Sequence, residues 1–288
     1  MTRRMADQRF RDDQMRRIRE PQVHAINKLC DDLMAELPGF TVPYIAPHYG
    51  AATAVVLALS SNPGPQAGGA TGSGMLSREN NDGTAARMSD IYTSVGLTDD
   101  QVLPWNAYPW HVHETHPNGL PNQLIDDGLN ALKRVLDLHP NITSIVAHGG
   151  DAHRSMRRFM STKHFGDYAD ARGLKTWNTR HTSNRAFILR EPEKSIAVEA
   201  VREVYRDAIR HAGLAPLPAL SSLSPTLFTG AELRTAALEE LLPALADEGL
   251  DVRTLVEQYL AVLPADRRRS LLAELLLLDV TSQYRKNC

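Results

Sequence analysis

Cysteine is almost missing from this chain of 288 residues: only Cys30 and Cys288 are present. Two thiols cannot build a disulfide framework, a Cys-ligated zinc site or a four-Cys iron–sulfur cluster within one chain. A reducing, cytoplasmic setting is the expectation. Long apolar runs are also missing; none approaches the roughly 18 residues of a membrane span. The first residues, MTRRMADQRFRDDQMRR, are charged and carry no apolar stretch of the kind a secretion signal needs. Excess charge of one sign is absent too: 32 Lys+Arg oppose 34 Asp+Glu, a net charge of −2. No GxxxxGK[ST], GxGxxG or GxSxG motif occurs, which removes the familiar nucleotide loops and the nucleophile elbow. Composition is otherwise ordinary, with 42% hydrophobic and 23% charged residues, so the chain has ample material for a core.

The charge that is present is unevenly placed. Residues 148–190 hold nine Lys/Arg against three acids, whereas residues 221–288 hold seven against ten. A local basic patch can bind a polyanion on a protein of neutral balance, and it is also what a solvated face looks like.

Periodicity organises the first 214 residues into strands alternating with helices. Val23, Ile26, Cys30, Leu33 and Leu37 share one face of a helix predicted over 15–37. Helices are likewise expected near 84–95, 120–138, 151–160 and 195–211. Short apolar runs at 54–60, 101–105, 143–148 and 174–178 read as strands. The pattern predicts an α/β fold, three layers α/β/α around a central, mostly parallel four-stranded sheet. Residues 1–214 would form this domain, 215–229 a linker rich in Pro and Ser, and 230–288 a helical C-terminal extension.

Polar breaks follow the strand candidates at Asn62, Asn106, His148 and His181. In a parallel sheet ligands bind at the carboxyl ends of strands, so these breaks are expected to share an edge. Ser60-Ser-Asn-Pro-Gly-Pro65 leaves the first strand as a sharp turn. Leu103-Pro-Trp-Asn-Ala-Tyr-Pro-Trp-His111 sets one carboxamide among aromatics: a reader of a pyrimidine edge, or a Trp-rich core corner. Thr179-Arg-His-Thr-Ser-Asn-Arg185 presents a histidine that can bond a developing oxyanion, or is simply at the surface. His111, His113 and His116 around Glu114 have metal-compatible spacing. That leaves a His-based metal hydrolase as an alternative, although no metal or other cofactor is expected.

Five segments in order resemble the uracil-DNA glycosylase superfamily: Val42–Gly50, Ser60–Pro65, Gly72–Ala85, Trp105-Asn106 and His181-Thr-Ser183. The resemblance spans about residues 20–214, and the scarcity of cysteine sets the iron–sulfur branches aside. It implies an enzyme that flips a base from DNA and hydrolyses its N-glycosidic bond, with DNA as partner and no membrane or obligate protein partner. Asn62 and His181 would be catalytic, the first orienting water and the second stabilising the departing base. Asn106, Met75 and Gly64 would recognise the base. Arg154, Arg157, Arg158, Ser183, Asn184 and Arg185 would contact DNA. The chain departs from the family pattern at three points. Asn62 stands where the most active branches place Asp. Met75 replaces the usual stacking Phe. His-Thr-Ser-Asn replaces His-Pro-Ser-Pro. Uracil is the default substrate; a bulky modified cytosine, such as one in foreign or phage DNA, is the alternative suggested by Met75 and the small residues near it. A non-catalytic DNA-binding module of the same fold is the remaining reading, because an amide cannot act as general base.

Overall fold

Proline decides the first element. A computed structural model describes residues 3–69 and 71–216 of the chain. In it the helix predicted over 15–37 is two helices, α1 (Gln8–Arg16) and α2 (Pro21–Glu36). Pro21 has no N–H and its ring would clash one turn back, so it opens a helix rather than continuing one. Asp7 caps α1 by accepting from the Arg9 N–H at 2.8 Å. Val23, Ile26, Cys30 and Leu33 are buried on one face of α2, as the spacing predicts.

Strand β1 (Tyr44–Ile45) pairs in parallel with β3 (Met75–Leu76) as a separate two-stranded sheet that periodicity did not foresee. Asn27 fixes it to α2: its amide donates to the Ile45 carbonyl at 3.0 Å and accepts from the Ile45 N–H at 2.7 Å.

The main sheet comprises β2 (Val56–Ser60), β4 (Val102–Asn106), β5 (Ser144–His148) and β6 (Lys175–Thr179). All neighbours are parallel, in the order β4-β2-β5-β6. Every residue of β5, and all of β2 except Ser60, is buried, which explains the apolar runs Val56–Leu59 and Ile145–Ala147. Helices α5 (Asn122–Leu138), α6 (Gly149–Ser161) and α7 (Lys163–Ala171) line up with α2 in one layer. Helices α4 (Gly83–Val95) and α8 (Glu193–His211) pack together in the other. The architecture is the expected three-layer α/β/α. A short helix, α3 (Pro65–Gly68), follows β2. The linker from residue 217 onward and the predicted helical extension at 230–288 lie outside the described residues.

The chain leaves β2 for β4 on one side and returns, through α5, to β5 on the other side of β2. The order reverses between β2 and β5, and in such sheets a crevice opens at the carboxyl ends of the two strands flanking that reversal.

Candidate functional site

The turn after β2 runs on past the sheet. Ser60 and Ser61 carbonyls accept from the Ala107 and Tyr108 N–H groups at 2.8 and 3.0 Å, so β2 and β4 stay zipped beyond their last residues. Asn62 and Asn106 therefore leave adjoining strands at one edge. Asn106 is buried and its Oδ1 has no hydrogen-bond partner among the described residues; Nδ2 of Asn62 is likewise buried and unpartnered there. A buried amide atom without a partner costs about 1–3 kcal/mol, so two of them at one edge mark places where a ligand or water would bind. The rings around Asn106 belong to the core: Trp105, Tyr108 and Trp110 are buried, and Trp110 Nε1 donates to the Leu33 carbonyl at 2.9 Å. The core-corner reading holds for the rings, and the amide among them is left unsatisfied.

His111 clamps the Asn62-Pro63-Gly64 turn. Its Nδ1 lies 3.0 Å from the Pro63 carbonyl, its Nε2 2.9 Å from Glu114, and its ring covers Gly68, where a Cβ would sit 2.7 Å away. These contacts commit both ring nitrogens of His111, while His116 Nδ1 meets Thr115 Oγ1 at 2.9 Å. No group of three His, Cys, Asp or Glu among the described residues is arranged to hold a metal. At Gly64 a Cβ would meet nothing within 4 Å, so the turn opens onto free space.

Strand β5 passes directly into α6 at Gly149, whose φ of +82° favours glycine. The site also needs this glycine for room, because a Cβ would come within 2.9 Å of His181 Cβ. His148 is buried, with Nε2 2.7 Å from the Tyr205 hydroxyl, and burial pushes its imidazole down to about 3. Asp151, in the first turn of α6, accepts from the Ser61 hydroxyl at 2.6 Å, the Leu120 N–H at 3.0 Å and Arg154 Nη2 at 2.7 Å. Burial pushes its carboxyl up, but the Ser61 hydroxyl, Arg154 and the Leu120 N–H outweigh that and hold it below the usual value.

After β6, His181 Nδ1 accepts from the Ser183 N–H at 2.9 Å. The proton of a neutral ring is thereby assigned to Nε2, a free donor. Burial lowers the His181 pKa, with Asp151 opposing, which keeps the ring neutral near pH 7. The loop is pinned from α4. Arg87 donates to the Thr182 carbonyl and lies 4.4 Å from the Phe187 ring centroid. Asn184 packs on Gly83 so closely that a Cβ there would be 2.0 Å from Asn184 Oδ1. Arg185 reaches Asn118 Oδ1 at 3.1 Å.

The structure sorts the other expected residues. Asn62, Asn106 and His181 leave one sheet edge, with Gly64 beside them. Met75 is fully buried among core side chains, and packing accounts for its position. Arg154 is committed to Asp151, and Arg158 is ion-paired with Asp126, so neither is a free phosphate ligand as drawn. Arg157 is exposed and has no partner among the described residues. Ser183, Asn184 and Arg185 ride on the His181 loop, the last two exposed. Ser61 and Asp151 were missed; His148 was read only as a polar break after a strand and His111 only as part of a metal-compatible cluster. The signal for Asp151 was available: it follows the end of a predicted strand by three residues, at a helix start.

No protein-family model and no curated protein matches the chain.

Proposed function

We propose that the protein is a DNA glycosylase that everts a pyrimidine base and hydrolyses its N-glycosidic bond. One observation carries the reading. Two buried amide atoms without a partner among the described residues, Asn62 Nδ2 and Asn106 Oδ1, leave the same sheet edge as a neutral imidazole whose Nε2–H is free. A pyrimidine presents donors and acceptors along one edge, which the Asn106 amide complements. Bond cleavage leaves negative charge on the base and positive character on the sugar. The Nε2–H of His181 is a fixed donor for the first charge, worth roughly 3 kcal/mol when well placed. In this reading Asn62 orients the attacking water. The motif resemblance from Ser60 to Ser183 supports the same assignment.

Uracil is the default substrate. Room beside Gly64 favours an enlarged cytosine as the second substrate reading. The test is a panel of oligonucleotides containing uracil, 5-hydroxymethylcytosine and its glycosylated form, with the released base identified by mass. Release from one member, leaving an alkali-labile abasic site, is the expected result. Tight DNA binding without release from any member would favour the non-catalytic module, for which the Asn62 amide is the supporting observation.

A further inference from the structure

Asn62 leaves a gap in the chemistry. An amide orients water but cannot take its proton. Asp151, in the first turn of α6, is a carboxylate bonded directly to the residue preceding Asn62, whereas Glu114 reaches the turn only through His111. Ser61 Oγ lies 2.6 Å from Asp151 Oδ2 and 3.1 Å from Asn62 Oδ1. A hydroxyl has one proton, and the shorter contact assigns it to Asp151. Ser61 Oγ and Asn62 Oδ1 are then two acceptors side by side, which a water donating one proton to each would bridge.

We propose that Asp151, acting through the Ser61 hydroxyl, accepts the proton of the attacking water; this rests on the glycosylase reading above. As the water oxygen bonds to the sugar C1′, the glycosidic C–N bond breaks and its electron pair leaves with the base. The water proton passes to Ser61 Oγ while the Ser61 proton passes to Asp151 Oδ2. The base anion, bonded by His181, is later protonated from solvent. Asp151 is thus a positioning residue that also stores a proton, and Ser61 is the group in contact with the water.

Four elements set the charge of Asp151. On its own helix Arg154 stabilises the carboxylate, and from the loop after β6 His181 faces it as a neutral ring. The turn after β2 contributes the Ser61 hydroxyl, and the segment before α5 contributes the Leu120 N–H. The carboxylate is therefore ionised and ready to accept down to acid pH.

The experiment is single-turnover excision by the full chain on whichever panel substrate it cleaves. Asp151→Asn keeps acceptors for Ser61 and Leu120 but cannot take a proton. It should slow excision by about 10²–10⁴-fold, the usual range for a proton acceptor, with unchanged affinity for uncleavable 2′-fluoro substrate. Ser61→Ala should lose as much and guards against misfolding of the first variant. Arg154→Ala keeps the carboxylate but removes its cation, so the acid limb of the pH–rate profile should move to higher pH. A purely structural tether predicts no such displacement. Wild-type rates in Asp151→Asn or Ser61→Ala, or an unmoved acid limb in Arg154→Ala, would overturn the proposal while leaving the glycosylase reading intact. No release by the wild-type chain from any substrate would instead sink both.

Discussion

Two side chains carry most of the functional claim. Asn62→Ala and His181→Ala should each reduce base release at least a hundredfold, with DNA affinity and melting temperature near wild type; mobility-shift and calorimetric measurements separate these. Gly64 addresses the substrate. Gly64→Val fills space that is empty in the fold, so it should slow release of an enlarged base more than release of uracil. Equal slowing on both would place the larger substituent elsewhere. A fourth residue governs acid tolerance. Unfolded, His148 protonates near 6.5; folded, it resists until about 3. Between those values the unfolded chain binds the extra proton, so stability falls as pH drops, by up to about 1.4 kcal/mol per pH unit for this group. His48, pushed by burial to about 4, adds the same sign. Urea midpoints from pH 7 to 4 should decline, and His148→Gln should flatten the decline.

At this scale, legibility followed chemistry. Asn62, Asn106 and His181 were visible because each follows an apolar run that must end at a sheet edge. Ser61 and Asp151 were not, because their bond joins residues ninety positions apart and neither stands out alone. Arg154 looked like a phosphate ligand because sequence shows a cation without showing the anion beside it.

Elements were legible where burial is one-sided or complete. The four main strands and α5, α6 and α8 fell within a few residues of expectation. The split of α1 from α2 was readable from Pro21, had the proline been weighed above the apolar spacing. The pair β1–β3 offered no period, since two residues each are too few to show one. Helix α5 makes an unusual approach to the site. A Cβ on Gly128 would lie 1.9 Å from the Ala107 carbonyl oxygen, immediately after Asn106. Gly128→Ala must push the two backbones apart, at a cost of about 1–3 kcal/mol. It should lower the melting temperature and weaken base discrimination together. A stability loss with unchanged discrimination would separate α5 from the positioning of Asn106.

The whole molecule is electrically near neutral, so any grip on DNA depends on where its cations stand free. Arg157 is exposed and unpaired among the described residues, unlike its neighbours Arg154 and Arg158 on α6. Arg157→Ala should weaken binding evenly across sequences and lower the slope of log affinity against log salt by roughly 0.9, one phosphate contact. An unaltered slope would remove this face of α6 from the DNA path. Among the described residues no helix is long and apolar enough to cross a membrane.

The strand order has a consequence for biosynthesis. Val56 aligns with Val102 on one flank and Ser144 on the other. A ribosome therefore delivers β2 well before either neighbour, and the β5 flank arrives last of the two. Until that segment emerges, the Asn62 turn is without its anchor on Asp151 and an apolar strand waits with an open side. Nascent chains stalled short of residue 144 should accordingly be protease-sensitive around residues 56–64, and those stalled well past β6 should be protected there.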